Sequence, residues 1–293
     1  MERKTSLKLS TRLMVLLFLM GAGLIVASVL MLLFVKMGLL AMLTVQDVIA
    51  FIAPAIVAMA IFYRQPLRVM CLDRFPNWKV VLLIVLFYIV SLPGMNWLVS
   101  VNQAMTLPSW MSGIEQIMRK LEESATETTE LLLDITSVWQ LICSVFVIGI
   151  MAGVSEEVLF RGAMLRTMQD SRLGTHAVVW IVAIIFSAFH MQFYGFIPRM
   201  VLALWLGYLF VWTRSLWAPI IAHALNNSTV VVISYLAGKG IVGDDFGDQF
   251  GLPADGAFPW LAVTSVVLSI ALAIFASRQL RKSKLGSIVP LGD

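Results

Sequence analysis

The chain has 293 residues, of which 60% are hydrophobic and 13% are charged, and its mean hydropathy is +0.91. Soluble domains are nearer 45–50% apolar and 25% charged, so this composition excludes an ordinary soluble enzyme and indicates an integral membrane protein. The net charge of +4 does not indicate nucleic-acid binding, because the basic residues gather at the ends of apolar segments. The two cysteines, Cys71 and Cys143, have neither a metal-binding spacing nor the pattern of a disulfide framework.

Eight apolar segments follow one another along the chain, and we predict that each is a transmembrane helix. A helix needs about 20 predominantly apolar residues to cross the hydrocarbon core. The segments are 13–35, 48–63, 80–101, 135–168, 176–196, 200–212, 216–236 and 259–277. We therefore expect an all-α, polytopic membrane protein that forms one transmembrane domain over residues 1–293, with a functional core at 135–236.

The distribution of lysine and arginine predicts the orientation in the membrane, because these residues accumulate on the cytoplasmic side. With eight spans, five basic segments fall on one side of the membrane: 1–12, 64–79, 166–172, Arg214 and 278–284. The acidic stretches 103–134 and 238–255 fall on the other side, together with Arg199, which departs from the charge pattern. We therefore expect both termini in the cytoplasm, and the compact length favours a bacterial plasma (inner) membrane.

The acidic stretch contains an amphipathic piece, at 110–121, with apolar residues at helical spacing. Such a piece lies on the membrane surface or caps the helix bundle. A solvated loop helix is the alternative.

Two adjacent carboxylates, Glu156 and Glu157, interrupt the fourth apolar segment. An ionisable residue at membrane depth costs about 2.5–3.5 kcal/mol on insertion scales, so such residues usually serve a function. Glu157 and Arg161 are four residues apart and share a helix face, in the order that favours an ion pair. We predict that Arg161 holds Glu157 in place and that Glu156 points elsewhere, free to act. A hydrated helix end at the headgroup level is the alternative.

Two of the three histidines lie within apolar segments and are expected at the depth of these carboxylates. Glu157 is 16 residues before Leu173, at the tip of the intervening turn, and His190 is 17 residues after it. At a rise of about 1.5 Å per residue, both are roughly 24–26 Å from the tip. His223 and Asn227 share one face of the seventh segment. We expect one polar layer in the cytoplasmic half of the bilayer, in a site that opens to the cytoplasm. Interhelical hydrogen bonds that hold the bundle together are the alternative.

These residues are the parts of a hydrolase that needs no protein nucleophile. A carboxylate beside an imidazole activates a water molecule, and we assign this role to Glu156 and His190. A second imidazole and an amide donate hydrogen bonds to a developing oxyanion, and we assign that role to His223 and Asn227. A divalent metal such as zinc, bound by Glu156, His190 and His223, is the other possibility. The HExxH signature of zinc proteases is absent from the sequence.

Three motifs occur in order on successive apolar segments: EExxxR at 156–161, FxxxH at 186–190 and HxxxN at 223–227. As an ordered set they resemble the CAAX protease and bacteriocin-processing (CPBP) family of intramembrane proteases, over about residues 155–227. The resemblance implies an endopeptidase, described for the family both as a metalloprotease and as a metal-free glutamate enzyme. The roles it implies are catalysis by Glu156 with His190 as its partner, oxyanion binding by His223 and Asn227, and support by Glu157 and Arg161.

The same resemblance implies a peptide or protein substrate. Eukaryotic members of the family remove a C-terminal tripeptide from a prenylated cysteine, so a lipidated substrate and contact with membrane lipids are expected partners.

Two other classes of function remain open from the sequence. Some bacterial members of the family act as immunity or scaffold proteins without catalysis. An ion-coupled transporter also uses buried Glu and His, but the chain shows neither the internal repeats nor the paired broken helices of such proteins.

Overall fold

The computed structural model describes residues 3–34, 36, 38–243, 246–253 and 257–282. These residues form helices, turns and one isolated β-bridge, between Arg3 and Tyr63. Three aspartates of the second acidic stretch (Asp244, Asp245 and Asp255) and Lys284 of the basic tail lie outside the described residues.

The longer helices, each of 15 residues or more, are α1 Leu9–Phe34, α2 Leu39–Phe62, α3 Trp78–Gln103, α4 Ser112–Leu133, α5 Val138–Met168, α6 Thr175–Phe189, α7 Phe196–Thr213, α8 Trp217–Gly238 and α9 Trp260–Lys282. Short helical turns at Pro66–Val69, Ser109–Met111, Phe193–Gly195 and Phe246–Gln249 lie between them.

The predicted fold class is confirmed: in the described part of the chain, seven helices are long and apolar enough to cross a membrane. They correspond to seven of the eight predicted segments. The remaining segment, 176–196, corresponds to α6, which has only 15 residues. Apolar side chains cover their outer faces, such as Phe18 at 73% and Leu32 at 76% exposed. A soluble monomer rarely exposes such continuous apolar surface, so these faces suit contact with lipid tails. The number of spans and the side of the termini stay predictions.

The fifth predicted segment, 176–196, was wrong in its extent. The α6 helix ends at Phe189, and the chain then leaves helical geometry, with Met191 at a φ of 54°. Helices commonly end at a residue with left-handed backbone angles, and apolar composition does not predict where such a residue occurs. Residues 190–195 therefore form a connection that ends in the short helical turn Phe193–Gly195, and this 190–195 loop carries His190.

One end of the bundle is closed by packed apolar side chains. The segment 66–72 folds back beneath α5 and α8, where Met70, Leu165 and Leu216 are fully buried. The Leu216 N–H donates to the Cys71 carbonyl at 3.0 Å, which ties this segment to the start of α8. The turns at 169–174 and 214–216 belong to this end, which we call the closed end.

Glycines bring α5 and α8 into close contact at a level farther from the closed end than Glu156 and Glu157. Gly149 and Gly153 are four residues apart on α5 and face Ser228 and Ala224 of α8, also four apart. A Cβ at position 153 would lie 3.1 Å from the Ala224 nitrogen. Small residues at this spacing allow two membrane helices to approach closely. The contact places His223 and Asn227 of α8 beside the Glu-Glu segment of α5.

Three stretches of π-helix interrupt the α-helical geometry near Glu156 and Glu157. They are Asp47–Ile52 in α2, and Val145–Met151 and Val158–Leu165 in α5. A π-helical turn changes the direction of the side chains that follow it and is frequent at functional sites. The two stretches in α5 flank Glu156 and Glu157, and the stretch in α2 begins at a buried aspartate.

Candidate active site

Glu157, Arg161 and His223 form a closed cluster inside the bundle. Arg161 Nη1 donates to Glu157 Oε1 at 2.6 Å, and His223 Nδ1 lies 2.9 Å from the same oxygen. Glu157 and Arg161 are completely buried, and His223 is 4% exposed. A buried charge requires a partner, and this carboxylate and guanidinium neutralise each other. The predicted i, i+4 contact between Glu157 and Arg161 is present in the structure.

Arg161 is fixed further by the neighbouring helices. Its Nη2 donates to the Ala203 carbonyl of α7 at 2.9 Å, and its guanidinium lies 4.8 Å from the centroid of the Phe186 ring of α6. The same ring meets His223 edge to face, with centroids 5.9 Å apart. Arg161 thus joins α5, α6 and α7 around one cation, and Phe186, the first residue of the FxxxH motif, packs against both the cation and His223.

Glu156 has a different environment from its neighbour. Its side chain is 19% exposed, and its Oε2 lies 3.8 Å from His223 Nε2. Among the described residues, no group donates a hydrogen bond to this oxygen, although it is buried. Because His223 Nδ1 bonds to Glu157 Oε1, its Nε2 is the nitrogen that faces Glu156. Glu156 therefore presents an unused acceptor beside an oriented imidazole.

His190 lies at the C-terminal end of α6 and is half-buried. Its Nδ1 is 2.9 Å from the Phe186 carbonyl, so Nδ1 carries the proton, and in the neutral ring Nε2 carries the lone pair. In the part of the chain that the structure describes, no hydrogen bond joins His190 to Glu156, but the two interact electrostatically. The Nε2 lone pair is therefore available to accept a hydrogen bond, such as one from a water molecule.

Asn227 lies one turn beyond His223 on α8. Its Nδ2 donates to the Ile148 carbonyl of α5 at 3.3 Å, and its Oδ1 accepts from Asn226 Nδ2 at 3.2 Å. Only one of its two amide N–H groups is used by the Ile148 carbonyl, so the other remains available as a donor. The structure thus places Asn227 at the contact between α5 and α8 that the glycines create.

The sequence reasoning missed a third carboxylate, Asp47, which opens the π-helical stretch of α2. It is 8% exposed and its Oδ1 accepts from the Ser155 hydroxyl at 2.8 Å. Ser155 directly precedes Glu156, and Asp47 interacts electrostatically with Glu156. The available signal was a single acidic residue within the apolar stretch 39–63, which indicates function as Glu156 does.

The residues proposed as zinc ligands do not form a three-ligand group. The described residues contain no set of three His, Cys, Asp or Glu side chains arranged to hold a metal ion. Glu156 and His223 fit two positions, since Glu157 orients the His223 ring as the outer carboxylate of a zinc-bound histidine does. His190 is not grouped with them, so the described residues do not fit a complete zinc site.

The cluster lies near the closed end. Glu157 is about three turns before the end of α5, and His223 is less than two turns after the start of α8. The packed residues of the closed end separate the cluster from solvent on that side. On the side of Glu156 and His190 that faces away from the closed end, Met191 is exposed and Gln192 is half-buried.

Comparison with known proteins identifies the part of the chain that carries this cluster. Residues 138–229 match the family model described as type II CAAX prenyl endopeptidase Rce1-like. No curated protein and no solved structure gives a match. All three motifs lie inside the matched residues. This part of the chain is therefore similar to the type II CAAX prenyl endopeptidases, the family that its motifs also resemble.

Proposed function

We propose that this protein is an intramembrane endopeptidase that hydrolyses a peptide bond with a water molecule activated by Glu156 and His190. The observation that carries the proposal is that Glu156, unlike the fully buried Glu157, is partly exposed and has an Oε2 without a donor, 3.8 Å from an imidazole that Glu157 orients. The family match supports peptide hydrolysis as the reaction class. Residues 135–236 supply all of these groups and form the proposed catalytic core.

The reaction starts with the water molecule between Glu156 and His190. Glu156 takes a proton from it, the water oxygen bonds to the scissile carbonyl carbon, and the carbonyl electron pair moves to oxygen. His223, protonated on both nitrogens, donates Nδ1–H to Glu157 and Nε2–H to the oxyanion, and Asn227 donates its remaining N–H. Glu156 then gives its proton to the leaving nitrogen as the C–N bond breaks, which yields a carboxylic acid and an amine; the acid then transfers its proton to the amine.

The cluster of Glu157 and Arg161 has a positioning role in this scheme. The Glu157 carboxylate fixes which nitrogen of His223 faces the reaction, and Arg161 compensates the buried negative charge. Preorganised donors in a site that excludes water stabilise a developing charge more strongly than water does.

We propose that substrates reach Glu156 from the side of the 190–195 loop, because the closed end is filled by side chains. The charge pattern predicts that the 166–172 turn, and with it the closed end, lies in the cytoplasm. The proposed route would then open on the opposite side of the membrane, which conflicts with the expectation that the site opens to the cytoplasm. Labelling of Met191→Cys with a membrane-impermeant thiol reagent, with Cys71 and Cys143 changed to serine, distinguishes them. Labelling from the side of the N-terminus supports a cytoplasmic opening, and labelling from the opposite side contradicts it.

The function is tested by cleavage of a fluorogenic peptide with a prenylated cysteine near its C-terminus, together with a pooled membrane-peptide library. Wild-type protein in detergent is compared with Glu156→Ala, His190→Ala and His223→Ala, each with and without phenanthroline. Cleavage that all three changes abolish, with folding retained and chelator without effect, is the expected result. Full cleavage by all three variants would show that the site is wrongly assigned. Absence of cleavage by wild type contradicts these substrates and favours the non-catalytic scaffold role.

A further inference from the structure

Helix α4 lies across the end of the bundle that is opposite the closed end. Residues 104–111 connect it to the end of α3, and residues 134–137 connect it to the start of α5. Its 22 residues extend over about 33 Å. The first half of α4 contacts the 190–195 loop through Glu115 and Glu122. Both ends of α4 are therefore held at the level where membrane-spanning helices end.

Three stripes of side chains run along α4, and each has a different environment. A half-buried stripe faces the bundle and contains Glu115, Met118, Glu122 and Ala125. An apolar stripe is exposed and contains Ile114, Ile117 and Leu121. A charged stripe is also exposed and contains Lys120, Glu123, Glu127 and Glu130. At about 100° per residue, the charged stripe lies opposite the other two. This arrangement is typical of a helix that lies in the lipid–water interface.

The position of α4 in the chain indicates that lipid covers its apolar stripe. The helices on either side of it expose apolar side chains where they approach α4, such as Val101 in α3 and Val138 in α5. Two exposed tryptophans flank α4, Trp110 before it and Trp139 after it. Tryptophan is enriched at the headgroup level of membranes. The apolar stripe is therefore continuous with lipid-facing surface at both of its ends.

Hydrogen bonds from the half-buried stripe hold α4 against the 190–195 loop. The Glu122 carboxylate accepts from the Gln192 side chain and from the Tyr194 backbone N–H, each at 3.3 Å. Glu115 Oε1 accepts from the Tyr194 hydroxyl at 3.4 Å. All three bonds are longer than the usual distance of about 2.7–3.0 Å, so each is weak.

The loop itself is held by shorter bonds to other helices. Asn102, in the last turn of α3, is fully buried. Its Oδ1 accepts from the Ile197 N–H at 2.9 Å, and its Nδ2 donates to the Phe193 carbonyl at 3.2 Å. The Ser187 hydroxyl of α6 donates to the Phe196 carbonyl at 2.6 Å. The loop is therefore fixed independently of α4.

Helix α4 lies on the side of the site that the closed end leaves open. Gln192, which donates to Glu122, is two residues after His190. Glu122 also interacts electrostatically with Arg199 at the start of α7, and Arg199 in turn interacts with Glu156. A group that approaches Glu156 from this side therefore meets α4 first.

We propose that α4 is a lid that lies in the lipid–water interface and controls access to Glu156. Two sets of contacts hold it closed, on different faces of the helix: the apolar stripe contacts lipid, and the half-buried stripe bonds to the 190–195 loop. Because the bonds to the loop are long, the contact with lipid supplies a large part of the stability of the closed state. This inference concerns access alone and does not depend on the reaction that the site performs.

A fixed cap that holds the loop is the other role for α4. The two roles differ in one measurable respect. A cap acts only through its contacts with the loop, whereas a lid held by lipid also depends on the apolar stripe, which does not face the loop.

The contact with lipid is tested with nitroxide labels at Ile117→Cys, on the apolar stripe, and at Lys120→Cys, on the charged stripe, as the matched control. Each is placed in Cys71→Ser/Cys143→Ser protein in nanodiscs of phosphatidylcholine and phosphatidylglycerol. We expect the label at 117 to collide mainly with oxygen, which dissolves in lipid, and the label at 120 to collide mainly with a water-soluble nickel complex. Collision of the 117 label with the nickel complex, or its protection from both reagents by a protein partner, overturns the contact with lipid.

Access to the site is tested by the rate at which a small charged methanethiosulfonate reagent labels His190→Cys in the same background and nanodiscs. Glu122→Ala removes bonds to the loop, and Ile117→Gln/Leu121→Gln weakens the contact with lipid. Glu123→Ala, at the adjacent exposed carboxylate, is the control. We expect labelling about tenfold faster for the first two variants, because each loses contacts that hold the closed state, and an unchanged rate for the control.

Faster labelling in both variants, or in the apolar-stripe variant alone, supports the lid. Equal rates in all variants overturn it, and faster labelling in Glu122→Ala alone shows that α4 is a fixed cap. Neither measurement requires cleavage, so a failure of the lid and a failure of the peptidase proposal are distinguishable.

Discussion

Glu157 is fully buried and is bonded through one oxygen to Arg161 and His223, whereas Glu156 is partly exposed and makes no hydrogen bond to either. The second oxygen of each carboxylate has no donor among the described residues. Arg161 and His223 both reach one oxygen of Glu157, at 2.6 and 2.9 Å. The neighbouring Glu156 has a buried oxygen without a donor among the described residues, and His190 beside it bonds only its own helix. Two adjacent residues of identical chemistry thus differ because a helix turns by about 100° per residue.

This difference distinguishes the residues that support the site from the residues that take part in the reaction. An enclosed ion pair gains little net stability, because desolvation offsets the attraction, but removing one partner leaves a buried charge unpaired. A reactive carboxylate instead needs access to water and an acceptor that is not already used. Changes in the enclosed region should therefore alter stability first, and changes in the half-buried region should alter activity alone.

The largest effect on stability is expected for Arg161→Met. The change leaves the Glu157 charge buried without its cation, which costs about 3–5 kcal/mol for a broken buried pair. Thermal unfolding in detergent should show a strongly lowered midpoint. The double variant Glu157→Gln/Arg161→Met should recover much of the loss, because it leaves no unpaired charge. Arg172→Met, at an exposed cation, is the matched control and should behave as wild type.

A smaller effect is expected for Gly153→Val, which tests the contact that aligns α8 with α5. A Cβ at this position meets the Ala224 backbone, so the helices must separate. Overpacking of this kind costs about 1–3 kcal/mol, and the separation should also displace His223 and reduce cleavage. Gly21→Val serves as the control, since a Cβ at Gly21 meets nothing within 4 Å. Equal midpoints and equal cleavage rates for the two variants would contradict the proposed role of the contact.

The smallest effect concerns pH at the closed end, where Asp170 accepts from Arg12 at 2.6 Å and from the Tyr63 hydroxyl at 2.7 Å. Burial raises the pKa of Asp170, but the hydrogen bonds from Tyr63 and Arg12 outweigh it and hold the pKa below its ordinary value of 3.8. The ionised form is thus favoured in the folded state. Its contribution is present above pH 3.8 and is lost as the pH falls through the lowered pKa.

Thermal midpoints measured between pH 3 and pH 7 test this expectation. Asp170→Asn should lower the midpoint at pH 7 by an amount equivalent to about 1 kcal/mol, because the amide oxygen still accepts from the buried Arg12 but no longer carries a charge. The change should also remove part of the acid dependence. An unchanged acid dependence in Asp170→Asn would assign the effect to other groups.

The fold class and the approximate positions of the long apolar helices were predictable because they depend on apolar length. The start of α2 and the end of α6 were not, because they depend on backbone geometry. The contact between Glu157 and Arg161 was predictable because residues four apart meet on a helix. The role of Phe186 against Arg161, and the segment 66–72 that forms the closed end, were not predictable. Each of these contacts joins residues that are distant in sequence, and hydrophobic periodicity does not predict such contacts.

Asp47 and Arg199 show where sequence reasoning had the signal but did not use it. Both are ionisable residues at or near membrane depth, and both interact electrostatically with Glu156. Their significance depends on which helices pack together, since α2 and α7 are separated from α5 in sequence by long stretches. The sequence therefore marks such residues as unusual, and only the packing shows what they face.

The comparison between the two glutamates is tested most directly by Glu156→Gln and Glu157→Gln, each measured for cleavage rate and thermal midpoint on the same preparation. Loss of a general base lowers the rate by about 10²–10⁴-fold, and Glu156→Gln should do so with a midpoint equal to that of wild type. Glu157→Gln should lower the midpoint, because Arg161 loses its counter-charge. Wild-type cleavage by Glu156→Gln, or a midpoint lowered as much as that of Glu157→Gln, would contradict the assignment of catalysis to Glu156 and support to Glu157.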